Sequence, residues 1–552
     1  MGTPRLKGAT ASALRLLSQG PLRGAIWALM AKSYGITAMS ELPPEARRDF
    51  DPEERPLQGA PPRRFGTGGL PVPDGRVGTA RRLGAAYAAG ATDPVAVLEK
   101  IEARVAAGDF GAAHRSPFVA LAWERAREAA KASRARHQGG QARGPLDGVP
   151  IPVKDEHEMV GLPTLGGTVY RRRLATGDSR CVERLEAAGA LVYAKTHTTE
   201  WGMSPVGFNA VHSMPRNVYS ADHAPGGSST GAAVAVGLGL APLAVGSDGG
   251  GSIRIPAALN GLFGIKPTFV RVPRTRDIFA GGTVSHIGPL ARCTADLVEL
   301  LVATGIGADP EDPYSAWAQD SLHAAADWRA ALSRGVKGCR IGVDAREWRD
   351  AHPALAALGQ EALKALEREG ARLVDVTIPF AAHAPGAGVM VLAGETMGGL
   401  LDDQLRSGAE MGEDLQIILN LLRQSDLRLY FAARNTRAAL RRFAATALAG
   451  VDLLALPTVA APTPAWPLKD DRVTVIDEDA TKALCRYAFF GNLTGLPCGT
   501  APVGLHAGLP VGLQLVGDAW DEASVLAGLA HIERLGLSDL PAPPAFRALE
   551  LP

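Results

Sequence analysis

The sequence predicts an α/β protein in which helices cover both faces of one mixed β-sheet, and three observations point to it. An amphipathic helix opens at Asp93 and Pro94, an N-cap followed by a first-turn proline, and carries Val95, Leu98, Ile101 and Val105 on one face. Short apolar runs bounded by turn residues, at 149–153, 191–194, 340–343 and 372–378, have the length and composition of buried strands. Helix-length segments, 179–189 and 353–369, stand before or between those runs, an alternation that suits helices layered on a sheet.

The first 75 residues differ from the rest. Residues 13–34 mix Leu14, Leu16, Leu17, Leu22, Ile26, Trp27, Leu29 and Met30 with a few basic residues, and are interrupted at Gly20 and Pro21. They read as a helix pair that packs on the body or against a second copy in a homodimer; interfacial membrane binding is the alternative. Residues 43–73, rich in proline and charge, read as an extended connection. The α/β body is expected over 76–552, with a helical insertion at about 386–449 beside the substrate pocket.

Composition narrows the function classes. The 552 residues carry 58 basic and 57 acidic side chains, a net charge of +1 that gives nucleic acid no reason to bind. Cys181, Cys293, Cys339, Cys485 and Cys498 are odd in number and scattered, with no C-x-x-C pair, so reduced thiols and a cytoplasmic setting are expected. The apolar stretch 24–31 is too short to span a bilayer and follows Arg15 and Arg23, so neither a secretory signal nor an integral membrane segment is expected.

The chemistry concentrates between Gly226 and Lys266. Ser228 follows Gly226 and Gly227, and Ser252 follows Gly249, Gly250 and Gly251. Each glycine costs roughly 0.5–1 kcal/mol of extra ordering entropy, which suggests turns kept for a purpose. A backbone without Cβ atoms can aim consecutive N–H groups at one point and hold a developing oxyanion. Asp248 and Arg254 bracket the second turn, where an ion pair would fix its shape. Upstream, Lys154 closes the apolar run 149–153, poorly placed for solvent.

At these residues the chain resembles the amidase signature family. That family has a lysine in a GVP-x-x-VKD strand, a GGSS turn, and a nucleophile in a GGS-I-R-x-P segment running on to G-x-KPT. The three pieces occur here in that order, at 148–155, 226–229 and 250–256, with Lys266, Pro267 and Thr268 closing the last. Further likeness at 118–130, 287–296, 492–497 and 512–517 extends it to roughly residues 80–535. The resemblance implies one α/β/α sandwich, Ser252 as nucleophile, Ser228 as a bridging serine after a cis peptide bond, and Lys154 as base. No histidine occupies the three motifs, so lysine is the only candidate base among them.

To accept a proton Lys154 must spend time uncharged; burial favours that form, and Asp155 should be turned away so as not to oppose it. A hydroxyl both donates and accepts, which suits Ser228 to a relay. The expected reaction is hydrolysis of a small-molecule amide through an acyl-enzyme on Ser252, the oxyanion received by the amides of Gly249, Gly250, Gly251 and Ser252. It needs no metal or organic cofactor. Alternatives are the A subunit of a glutamine-dependent tRNA amidotransferase, disfavoured by the sequence 277–287 and the N-terminal extension, and an esterase or carbamate hydrolase using the same residues.

Other readings fail on context. Residues 227–231 fit G-x-S-x-G, but the nucleophile elbow must follow a hydrophobic strand and 219–225 is polar. His157 and Glu158 lack the second histidine of a zinc helix, so 155–158 reads as solvated loop or pocket rim. His286 reads equally as a substrate contact or a hydrogen-bonded loop residue. Thr230, where the family has glycine or serine, is read in the first turn of the following helix. Specificity is expected from 278–286, from the insertion, with Met390, Met397, Leu400, Leu401 and Leu421, and from the loop after 453–457; Phe279 and these residues suggest an apolar site.

Overall fold

The computed structural model describes residues 5–43, 59, 64–74, 76–279, 282–318 and 321–550. In chain order the strands are Leu6–Lys7 (β1), Phe118–Leu121 (β2), Val153–Lys154 (β3), Ala194–Thr196 (β4), Leu243–Asp248 (β5), Phe263–Lys266 (β6), His286–Ala291 (β7), Arg340–Val343 (β8), Arg372–Asp375 (β9), Leu453–Pro457 (β10), Val475–Ile476 (β11), Cys498–His506 (β12) and Leu509–Val516 (β13). Eleven of them form one sheet in the order β2-β4-β3-β5-β7-β6-β12-β13-β10-β8-β9, while β1 pairs with β11 apart from it. The sheet is mixed: β3 runs parallel to β4 and β5, and β8 parallel to β9 and β10, whereas β5–β7, β6–β7 and β12–β13 are antiparallel.

Burial follows position in that order. Every residue of β5, β6, β7, β10 and β13 is buried, as central strands covered on both faces must be, while the outermost strands β2 and β9 are partly exposed. The helix Thr230–Gly237 is buried at all eight positions and is built from small residues. Gly231 shows why: a Cβ there would stand 2.2 Å from the Pro117 carbonyl oxygen.

Several strands are shorter than their apolar runs. Only Val153 and Lys154 of the run from 149 join the ladder, with one bridge from Pro150 to Leu191, because Pro150 and Pro152 have no N–H to donate. The run at 191–194 pairs instead as Ala194–Thr196, and 372–378 stops at Asp375. The helices at Pro94–Ala107, Arg180–Ala187 and Pro353–Arg368 lie where the sequence places them, the first two capped by Asp93 and Ser179.

The N-terminal pair forms as Ala9–Gln19 (α1) and Arg23–Ser33 (α2), broken around Gly20. It packs on the body: Ser12 donates to Glu413 Oε2 (2.7 Å), Arg15 pairs with Glu413 Oε1 (3.2 Å), and Trp27 and Ala31 enter the main core. Most of the expected connection at 43–73, namely 44–58 and 60–63, lies outside the described residues. The expected insertion is three helices, Ala384–Ser407, Glu413–Leu422 and Leu427–Gly450. No helix among the described residues is long and apolar enough to cross a membrane.

Candidate active site

The parallel strands β3 and β5 end side by side, so residues after their carboxyl ends converge at one rim of the sheet, where open α/β sheets bind ligands. Lys154 is the last residue of β3, 1% exposed. Ser247 and Asp248 end β5, and the glycine turn then leads to Ser252. The turn 226–229 brings Ser228 to the same place, with a cis peptide bond between Gly227 and Ser228. Thr230 opens the following helix, its hydroxyl donating to the Gly226 carbonyl at 2.8 Å.

The structure brings Lys154, Ser228 and Ser252 to the wall of one cavity of ≈ 140 Å³, together with Gly249 and Gly250. The Lys154 Nζ donates to Ser228 Oγ at 2.7 Å and to Ser247 Oγ at 2.9 Å, and lies 2.8 Å from Glu156 Oε1. Ser247 in turn donates to Glu156 Oε2, and Thr198 donates to Oε1 at 3.3 Å. Both Glu156 oxygens are thereby held, and all three neighbours of the amine are oxygen atoms.

Two expectations for this region need correction. Asp155 does turn away, pairing with Lys195 at 2.7 Å, but Glu156 occupies the place it leaves. Glu156 and His157 are fully buried, so the solvated-loop alternative fails, while Glu156 lies on the cavity wall; the chain after β3 turns inward under 274–278, where Glu156 O accepts from Ile278 N and His157 Nδ1 lies 3.2 Å from Asp277 Oδ2. The second correction concerns Gly251. Its N–H donates to Asp248 Oδ1 at 2.7 Å, it is buried, and it is absent from the cavity wall, so its amide is committed to the turn. Gly249, Gly250 and Ser252 line the cavity instead. At Gly251 φ is +111°, a conformation open to glycine, and a Cβ there would meet Ile255 Cδ1 at 2.5 Å.

Asp248 and Arg254 form the expected ion pair, with Arg254 Nη2 2.9 Å from Oδ1 and Nε 3.0 Å from Oδ2. Burial pushes the Asp248 carboxyl up, but the Arg254 charge and hydrogen bonds from Arg254 and Asn492 outweigh it and hold it below the usual carboxylate range. Arg254 also donates to Asn492 Oδ1 (2.6 Å) and Gln514 Oε1 (2.7 Å), and Asn492 donates to the Asp248 carbonyl at 2.7 Å. The C-terminal segments therefore brace the nucleophile turn. This contact joins residues more than two hundred positions apart, and no local pattern announces it.

Much of the remaining wall of the cavity is apolar. Phe279 lines it, as expected, with Trp201, Leu392 and Phe489, and so do Met30 and Tyr34 from the N-terminal segment. Met390 is instead core, and Leu421 faces a neighbouring cavity. The loop after β10 is not on the wall; Thr481, Lys482 and Cys485 are. His286 is buried behind the site, its Nδ1 2.8 Å from the Val284 carbonyl and its ring against Phe269, so it is a hydrogen-bonded structural residue.

Comparison with known proteins agrees with this architecture. A sequence model of the family described as Amidase matches residues 111–526. The A subunit of the glutamyl-tRNA(Gln) amidotransferase of Anaeromyxobacter dehalogenans is 35% identical over 498 residues, covering 84% of this chain and 97% of that protein. The solved peptide amidase of Stenotrophomonas maltophilia superposes with a TM-score of 0.71 at 28% identity, over 86% of this chain and 99% of its own. A chain from a vestigial protein complex connected with the origins of an s-triazine catabolic enzyme gives 0.74 at 28%, over 83% and 98%. Family match, relatives and fold agree: the chain belongs to the amidase signature family.

Proposed function

We propose that the protein cleaves a carboxamide C–N bond by acyl transfer through Ser252. The observation that carries this reading is the buried contact of Lys154 Nζ with Ser228 Oγ, 2.7 Å, in the cavity that Ser252 also lines. Serine is a weak nucleophile until a neighbouring base takes its proton. An uncharged Lys154 can accept the Ser228 proton while its two remaining N–H bonds point to Ser247 and Glu156, and Ser228 can then take the proton of Ser252. The Ser252 oxygen bonds to the carbonyl carbon, and the oxyanion is received by the amides of Gly249, Gly250 and Ser252. Collapse breaks the C–N bond as Ser228 returns a proton to the leaving amine, and water repeats the sequence on the ester. Glu156 and Ser247 hold the ammonium formed on Lys154 during each half-reaction. Esters and carbamates would pass through the same acylation.

For the substrate, the cavity wall of Trp201, Phe279, Leu392 and Phe489 supports an amide with an apolar substituent. A specific observation favours a second reading, the A subunit of a tRNA amidotransferase: the curated relatives at 33–35% identity bear that name. By sequence the relatives weigh toward this second reading, against the preference drawn from the extension and from 277–287. Labelling with a fluorophosphonate probe, with Ser252→Ala as control, tests the nucleophile; loss of label in the variant is expected, and equal labelling would end the assignment. A panel of aliphatic, aryl and amino-acid amides and carbamates then tests the substrate. Turnover of apolar amides by the isolated chain is expected. Glutaminase activity appearing only with added partner subunits would establish the second reading.

A further inference from the structure

A second cavity, of ≈ 390 Å³, lies behind the turn Glu200–Gly202. That turn faces both ways. A Cβ on Gly202 would stand 3.2 Å from Ser228 Oγ and 3.4 Å from Glu156 Oε1, whereas Glu200 lines the second cavity. Met30, Tyr34, Met203, Ile418 and Thr481 line both spaces, so the two share a wall. The outer walls come from α1, α2 and the helix Glu413–Leu422 and are largely aliphatic, with the ring pair Phe208 and Trp466, 5.0 Å between centroids, on one side.

The charges in this apolar space all have one sign. Among the described residues its lining includes Glu200, Asp414, Asp477 and Glu478 and no lysine, arginine or histidine. Asp477 caps the helix Glu478–Cys485 and lies 3.8 Å from Arg5, and Glu478 lies 3.5 Å from Lys482. Among the described residues no such cation pairs with Glu200 or Asp414. Glu200 is 3% exposed; its Oε2 accepts from Gly412 N–H at 3.0 Å, and its buried Oε1 has no hydrogen-bond partner among the described residues. The buried Oδ1 of Asp414 has none either. A Cβ on Gly412 would lie 2.7 Å from both Glu200 Oε2 and Asp414 Oδ1, so the two carboxyl groups approach the same stretch of backbone. Unpaired carboxyl oxygens in an apolar cavity are costly unless a ligand completes them.

We propose that this second cavity is a subsite for the alkylammonium end of a substrate, its hydrocarbon part lying along the aliphatic wall and its nitrogen between Glu200 and Asp414. This deepens the amide-hydrolase reading and rests on it for the placement of the reacting bond. The ammonium supplies the donors that Glu200 Oε1 and Asp414 Oδ1 lack. Burial, and after it the Asp414 charge, pushes the Glu200 carboxyl up to about 9, while burial pushes Asp414 up to about 6. The other groups acting on Glu200 are the Gly412 N–H and Asp403 on the helix Ala384–Ser407. Below pH 9 the empty site thus holds a proton on Glu200 that a bound cation displaces, and affinity for an ammonium rises with pH up to about 9, by at most about tenfold per unit.

The test is calorimetry on the Ser252→Ala protein with n-octylammonium chloride, n-octanol and octanoate. The expected result is saturable binding of octylammonium alone, strengthening from pH 7 to 9, and at least about tenfold weaker in Glu200→Gln. Asp414→Asn, at a less buried position, should weaken it too and serves where Glu200→Gln does not fold. Octanoate binding as well as octylammonium, affinity falling with pH, or both variants binding unchanged would overturn the proposal. In the wild-type enzyme, amides of equal length ending in ammonium or methyl should differ at least about tenfold in kcat/KM, a preference lost in Glu200→Gln. Absent fluorophosphonate labelling would sink the hydrolase reading while calorimetry still judges the cavity; labelling without ammonium binding would sink the subsite alone.

Discussion

Two lysines on neighbouring strands, each buried and each paired with one of two adjacent carboxylates, show what distinguishes a structural ion pair from one suited to chemistry. Lys195 on β4 meets Asp155 at 2.7 Å, and Lys154 on β3 meets Glu156 at 2.8 Å. The remaining partners differ. Lys195 donates to the Pro163 carbonyl and to Thr164 Oγ1, both at 2.8 Å, and the Asp155 carboxylate accepts from Leu165 N. A carbonyl only accepts, so that arrangement is consistent with a proton that stays on the lysine. Burial pushes the Asp155 carboxyl up to about 6, with the Lys195 charge pulling against it, and burial lowers Lys195. Lys154 is instead surrounded by the hydroxyls of Ser228 and Ser247, which can reverse direction, and it borders a cavity. Equal charges and equal burial therefore leave the hydrogen-bond partners to decide the role.

The sharpest way to break this comparison is to remove each amine. Lys154→Met should lower kcat/KM per folded molecule by about 10²–10⁴-fold, as expected for loss of a general base, and should also cost stability because it leaves Glu156 buried without its cation. Lys195→Met should leave turnover per folded molecule nearly unchanged but destabilise the protein by about 3–5 kcal/mol, because it strands a buried carboxylate. Steady-state kinetics beside urea unfolding separates the two outcomes. If Lys195→Met were the inactive, stable variant, the assignment would be reversed.

A smaller effect is expected from the carboxylates. Glu156→Gln should cost about 10–100-fold in kcat/KM, the equivalent of one charge-assisted hydrogen bond to the ammonium formed during turnover. Asp155→Asn should act on stability instead. Smaller still, Ser247→Ala should reduce kcat/KM by about 2–10-fold, since Ser247 holds the amine but does not stand between it and Ser252 in the relay. Ser228→Ala, which removes the relay, should match Lys154→Met; parity of the two serine variants would show that Ser228 is merely a second holder.

The third buried pair supplies a pH test. The Asp248 carboxyl is held below its usual range, so its contribution to stability is present above the unfolded value near 3.9 and is lost as pH falls through that value toward the folded one. The Tm difference between wild type and Asp248→Asn should be constant from pH 8 to 5 and narrow below about 4. A difference unchanged at pH 3 would mean that Asp248 stabilises the turn by shape and not by charge.

Much of the site is legible in the sequence because its parts are local. Lys154 at the end of an apolar run, Ser228 and Ser252 behind glycines, and Asp248 six residues before Arg254 can each be found within a short window. Thr230 at a helix start is equally readable. Glu156 misleads for the same local reason: Asp155 to Glu158 is a polar run, and polar runs are usually solvated. The return of 274–278 over it, with Ser247 and Thr198 on its carboxylate, makes it an inner residue. Gly251 misleads because three consecutive glycines look equivalent until one amide is seen to donate to Asp248.

The sequence by itself determined the alternation of helix and strand, and the order of its motifs pointed, through a family resemblance, to the groups proposed to react, since propensity, periodicity and glycine placement act over a few residues. Tertiary structure alone decided which carboxylate faces Lys154, which amides remain open to the cavity, and that α2 helps wall it, because each depends on segments distant in the chain being pressed together where no water can satisfy their polar atoms.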